Sequence, residues 1–166
     1  KLAAMLTVQA GYEGAIAAAL GPAAEAIAVA DHGSARSALA SLKQADGGRV
    51  ALVVGGVAAP AAPPSISLPA GVRWATSVVT AAEPVRGAIG LLLADTLVAD
   101  SLDAAADAIE QVGSGVAVRA VTVDGDLVGR GWMVGGSEQK QSTIEVQSSI
   151  DRAKADLVVA ERRSEE

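Results

Sequence analysis

Residues 55–71 read GGVAAPAAPPSISLPAG, a run with no charged side chain that holds Pro60, Pro63, Pro64 and Pro69, four of the six prolines in the chain. Proline lacks the N–H that helix and sheet ladders require. Such a run connects elements and does not form a core one, so the packed structure must come from the residues on either side of it. The chain therefore divides into a first unit (residues 1–56), a proline-rich connection (57–71), a second unit (72–140) and a charged tail (141–166).

The two units repeat one order of elements. In the first, residues 11–20 place Tyr12, Ile16, Ala19 and Leu20 at helical spacing until Gly21-Pro22 stops the helix. Residues 26–30 are short and apolar and read as a buried strand; a helix over about 35–45 follows, with Leu39 and Leu42 on its inner face. Asp46-Gly47-Gly48 ends that helix, and residues 49–54 form a strand. In the second unit, residues 72–79 are extended and Glu83-Pro84 opens a helix over 85–93. A strand (96–99), a helix (101–112), a glycine break and a strand (116–123) complete it. Gly14-Ala15-Ile16 is echoed by Gly87-Ala88-Ile89, and Val29-Ala30-Asp31 by Val98-Ala99-Asp100, each Asp or the Ser after it standing where a helix N-cap belongs. The shared order of elements weighs more than the letters, because an alanine-rich chain matches itself by chance.

Asp124-Gly125 signals a tight turn, and residues 127–128 and 132–134 supply apolar segments that return as a hairpin. In the tail, Val146, Ile150, Ala153, Leu157 and Ala160 recur at steps of four and three on an otherwise charged segment, the seam spacing of a coiled coil.

Several function classes lose ground on composition. With 13 Lys and Arg against 19 Asp and Glu, the formal charge of −6 opposes general attraction to a polyanion, so nucleic acid would need a local basic patch. Trp74, Trp132 and Tyr12 are the only aromatic residues, too few for base-stacking platforms. The apolar runs fall well short of the roughly 20 residues of a membrane span, and no stretch reads as a signal peptide. The absence of cysteine fits a reducing compartment, with cytoplasm the default. His32 is the only histidine and belongs to a turn; Asp124-Gly125-Asp126 is hairpin chemistry, not a calcium loop. No nucleophile elbow and no Walker A lysine is present, so no catalytic residue, cofactor or metal is expected.

The ordered set of segments resembles the hinge domain of SMC (structural maintenance of chromosomes) proteins. Residues 11–16 (GYEGAI) with 18–21 (AALG) are similar to the segment opening many such hinges, and 46–50 (DGGRV) to the glycine turn entering their first sheet. Residues 94–98 (ADTLV) are similar to a "GDTLVV" segment, and 121–128 (VTVDGDLV) with Gly131 and Gly135-Gly136-Ser137 to a "VTLDGDL…G…GGS" signature. The resemblance implies a mixed α/β (α+β) fold of two pseudo-repeated subdomains with small sheets and packed helices, ending in a coiled-coil helix. It implies a homodimer joining coiled-coil arms whose far ends carry ATPase heads, in a cytoplasmic, nucleoid-associated protein of chromosome condensation and segregation. It also places another glycine-containing segment and an incoming coiled-coil strand ahead of residues 1–8, so the tail expects an antiparallel partner from the parent chain.

Glycine at a sheet edge lets two backbones approach and exchange N–H and C=O bonds. On that ground Gly131, Gly135 and Gly136, with Trp132, Met133 and Val134 supplying apolar area, are the expected dimer interface; their plainer role is to shape a hairpin. Arg119, Arg130, Lys140, Arg152 and Lys154 form the expected DNA contact, and Lys140 matches a position the resemblance implicates. That contact is expected to be weak, since the run of lysines common in the family is replaced here by Lys140 amid Glu138 and glutamines. The rival readings are solvated ion pairs for these cations and, for the whole chain, a small-molecule-binding α/β domain or a dedicated DNA-binding module.

Overall fold

The computed structural model describes residues 1–136 and 143–165. A 3-10 turn (Leu2–Met5) leads into β1 (Leu6–Val8) and α1 (Glu13–Leu20), and a second 3-10 turn (Gly21–Glu25) into β2 (Ile27–Val29). Helix α2 (His32–Gln44) follows, then β3 (Leu52–Val54). Helix α2 starts earlier than its apolar spacing suggests because Asp31 caps it, accepting the Ser34 N–H at 2.7 Å. Strand β3 starts later, at the residue where its ladder with β2 begins, Ile27 opposite Leu52.

Beyond the connection, β4 (Val72–Trp74) and β5 (Val79–Ala81) are separated by a 3-10 turn (Ala75–Ser77), so the extended stretch expected over 72–79 is broken. Helix α3 (Glu83–Leu93) takes Pro84 in its first turn, where no intrahelical donor is lost. Then come β6 (Thr96–Ala99), α4 (Leu102–Val112) capped by Ser101, and β7 (Arg119–Thr122). The chain continues through β8 (Leu127–Gly129) and β9 (Trp132–Val134) to α5 (Thr143–Glu165).

The internal repeat is a pair of parallel βαβ units, β2–α2–β3 and β6–α4–β7. The first pair stands as a two-stranded sheet; the second is the centre of a five-stranded sheet ordered β4-β6-β7-β8-β9, in which β9 is an edge. The halves are tied together where β1 pairs antiparallel with β5, Leu6 opposite Ala81. The alternation of β6 and β7 divides the apolar interior. Val98 and Val121 enter a large core with Leu2, Ile16, Leu20, Val53, Val85 and Leu93, drawn from both halves. Leu97, Ala99 and Ala120 face the other way, onto Ala105, Ala108 and Ile109 of α4.

Residues 57–70 contain no helix or strand, and the start of this connection, from Val57 to Pro60, lies against α3. A Cβ on Gly87 would collide with the Val57 carbonyl, its carbon only 2.7 Å away, and one on Gly90 would lie 2.8 Å from Pro60. Two glycines one helical turn apart therefore form the track on which the connection rests.

The candidate dimerisation edge

Arg130 and Gly131 join β8 to β9, and Gly131 holds φ +87°, a conformation that glycine adopts without strain. The Trp132 ring folds back over Gly129 of the facing strand, where a Cβ would strike the indole. Among the described residues, no strand pairs with the far side of β9. Its three side chains are all exposed: Trp132 45%, Met133 62% and Val134 61%. A wholly exposed apolar strand at an open sheet edge is a liability unless another chain covers it. The expected residues Gly131, Trp132, Met133, Val134, Gly135 and Gly136 are thus contiguous and exposed. Ser137, next in that glycine signature, lies outside the described residues.

The first unit has an open face of its own. Contrary to the expectation of a buried strand, β2 leaves Ile27 48% exposed, and Leu39 of α2, expected on an inner face, is exposed too. Ala35 is the one buried residue of α2. A two-stranded sheet with one lightly covered helix is marginal alone. The sequence shows this strand's apolar letters but not which side of it a neighbour fails to cover.

Three of the expected cations are engaged by groups of this chain. Arg119 is spent inside the domain: its Nη2 donates to Ala19 O at 2.8 Å and Leu92 O at 3.4 Å, and its Nε to Asp95 at 3.5 Å. It thereby serves carbonyls at the C-terminal ends of both α1 and α3. Arg130, at the hairpin tip, donates to the Gly113 carbonyl. Arg152 lies 3.8 Å from the largely buried Glu13, at the opposite end of α1 from Ala19, about 10 Å along the helix axis. Lys154 is exposed on α5, and Lys140 lies outside the described residues.

On α5, Ile144 is buried in the large core, which anchors the helix to the body of the domain. The expected seam residues Val146, Ile150, Ala153, Leu157 and Ala160 are all exposed. A shallow cavity of about 380 Å³ lies between β5 and α3, lined by Thr76, Val79, Thr80, Ala81, Arg86, Ile89 and Gly90. Thr76, Thr80 and Arg86 are the polar side chains of a lining that is otherwise apolar. Among the described residues, no helix is long and apolar enough to cross a membrane.

Residues 1–109 match the family described as SMC proteins Flexible Hinge Domain. The chain is 51% identical over 161 residues to the chromosome partition protein Smc of Mycolicibacterium paratuberculosis, and 47% identical over 163 residues to that of Mycobacterium tuberculosis. Each alignment covers 96% of this chain and 13% of the relative, so the chain spans about an eighth of the proteins it matches. Among solved structures, it resembles an asymmetric dimer of the Geobacillus stearothermophilus SMC hinge domain with TM-score 0.77 and 26% identity, covering 98% of this chain and 67% of that one. It also resembles the Pyrococcus furiosus Smc hinge domain with an extended coiled coil, with TM-score 0.63 and 29% identity, covering 96% of this chain and 58% of that one. These matches favour the hinge reading over a small-molecule-binding domain, and the chain belongs to the SMC flexible hinge domain family.

Proposed function

We propose that this chain is the dimerisation hinge of a chromosome-partition Smc ATPase, joining two coiled-coil arms by edge pairing between copies. The observation that carries it is β9, a strand at the sheet edge with no neighbour on its outer side among the described residues and with all three apolar side chains exposed. The counterpart is the open two-stranded sheet of the first unit, around Ile27. Pairing β9 with that sheet completes both, whereas pairing two β9 strands leaves the two-stranded sheets as they are. Two such contacts, each using a different half of each protomer, close a ring. Residues 1–56 and 72–140 are then the two halves that meet across the boundary. The stripe from Val146 to Ala160 seats the antiparallel strand of the parent chain. ATP hydrolysis belongs to head domains elsewhere in the parent protein, which acts on the chromosome in the nucleoid. DNA contact by this domain is weak and falls to the exit into the arm, where Lys154 is exposed, Arg152 is only loosely paired, and Lys140 follows the double glycine.

The chain has no cysteine, so single thiols can report the contact cleanly. With Val134→Cys and Ile27→Cys proteins and a short bis-maleimide, the mixture should give a crosslinked dimer that neither protein gives alone. A dimer from Val134→Cys alone would show that the strands pair with each other, and no dimer in any sample would remove the hinge contact altogether.

A further inference from the structure

Thr122, Asp126, Gly135 and Gly136 converge at the foot of the β8–β9 hairpin. Thr122 is fully buried; its hydroxyl donates to Asp126 Oδ2 at 2.9 Å and accepts the Asp126 N–H at 3.0 Å. The Thr122 N–H donates to the Asp126 carbonyl at 2.9 Å, so Asp126 is gripped through main chain and side chain alike. Its other carboxylate oxygen, Oδ1, accepts the Gly136 N–H at 3.3 Å. Gly135 passes directly over this carboxylate: a Cβ there would stand 3.0 Å from Asp126 Cγ, 3.3 Å from its Cβ and closer still to Oδ1. Around Gly136 and Gly131 a Cβ would meet nothing within 4 Å, and both hold positive φ, +136° and +87°.

We propose that Asp126 is the positioning residue of the docking edge, its carboxylate clamping Gly135-Gly136 to the β7–β8 turn and so fixing where β9 ends. This rests on β9 being the docking edge. The clamp gives the double glycine two different duties. Gly135 is glycine because a side chain would displace Asp126 from Gly136 and Thr122. Gly136 is glycine because of its backbone angle. Neither duty requires a second chain, so the glycine signature is explained inside one protomer, while its effect on assembly comes from holding β9 in register.

A double-mutant cycle tests this, using Gly135→Ala, Asp126→Ala and the pair. Self-association is measured by sedimentation equilibrium and folding by urea unfolding on the same four proteins. Gly135→Ala alone should weaken association about tenfold, the scale of losing hydrogen bonds to a charged group. In the Asp126→Ala background, which is itself weakened, the same substitution should change association less than about twofold, because the close contacts with Oδ1 and Cγ are gone and only the 3.3 Å approach to Cβ is left. An equal loss in both backgrounds would overturn the clamp and give Gly135 to the partner's backbone. If no protein associates, the hinge reading fails, and the unfolding cycle still decides whether positions 126 and 135 are coupled. Asp126→Ser, which trades the carboxylate for a single neutral hydroxyl and so removes both carboxylate oxygens while keeping one hydrogen-bonding atom, replaces Asp126→Ala should the latter not fold.

Discussion

Gly87 lies in the interior of α3, where a methyl group ordinarily stabilises a helix by close to 1 kcal/mol. Here the sign reverses. The Val57 backbone occupies the space a Cβ would take, and Ala58 C stands 3.1 Å from it on the same side. Main-chain atoms cannot rotate away, so Gly87→Ala must push the connection off the helix, and a cost of about 2 kcal/mol is expected from overpacking of this kind. Urea unfolding would check it, and a neutral or stabilising substitution would show that the connection does not bear on α3. Arg119 carries a related lesson. Its letter suggests a surface cation, yet only the folded arrangement brings the Ala19 and Leu92 carbonyls to it. A residue's partners at separations of 100 and 27 positions cannot be read from its own neighbourhood in the sequence.

Helix α2 has a side-chain cap and a single buried residue, Ala35. Asp31 accepts hydrogen bonds from Ser34, and these hold its carboxyl below the ordinary value of 3.8. A depressed carboxylate contributes stability that is full above the unfolded value and is lost as pH falls through the folded one. Protection of the Ser34 amide from exchange should therefore drop as pH is lowered below about 4, and Asp31→Ala should abolish that acid dependence. An identical pH profile in the variant would show that the cap does not control the first turn. The two βαβ units were legible because caps and glycine stops are local signals: Asp31, Ser101 and Asp46-Gly47-Gly48 sit where the helices begin and end. The pairing of β1 with β5 was not. Thr7 and Thr80 face each other across 73 positions, and neither segment carries an alternation strong enough to announce a strand. Likewise the break of 72–79 by a 3-10 turn follows from where β5 must turn to meet β1, a tertiary demand.

At the scale of the whole molecule, the β9 edge was partly visible in the sequence: glycines mark the ends of an apolar strand, and the tail beyond has a seam. Its complement was hidden, because exposure of Ile27 depends on what fails to pack on β2. Two copies that each carry a net charge of −6 repel one another, so the proposed edge pairing has to draw on apolar area and backbone bonds at the rims. In a two-residue hairpin the closing pair, here Gly129 and Trp132, exchanges hydrogen bonds, so the next pair, Val128 and Met133, does not. The Met133 N–H consequently points outward, toward the site a second strand would fill. Met133→Pro deletes that donor and leaves the β8 ladder its bonds. Sedimentation velocity at tens of micromolar is the most direct test. The unaltered chain should run as a dimer and Met133→Pro as a folded monomer; a dimer that persists in the variant would contradict edge pairing through β9.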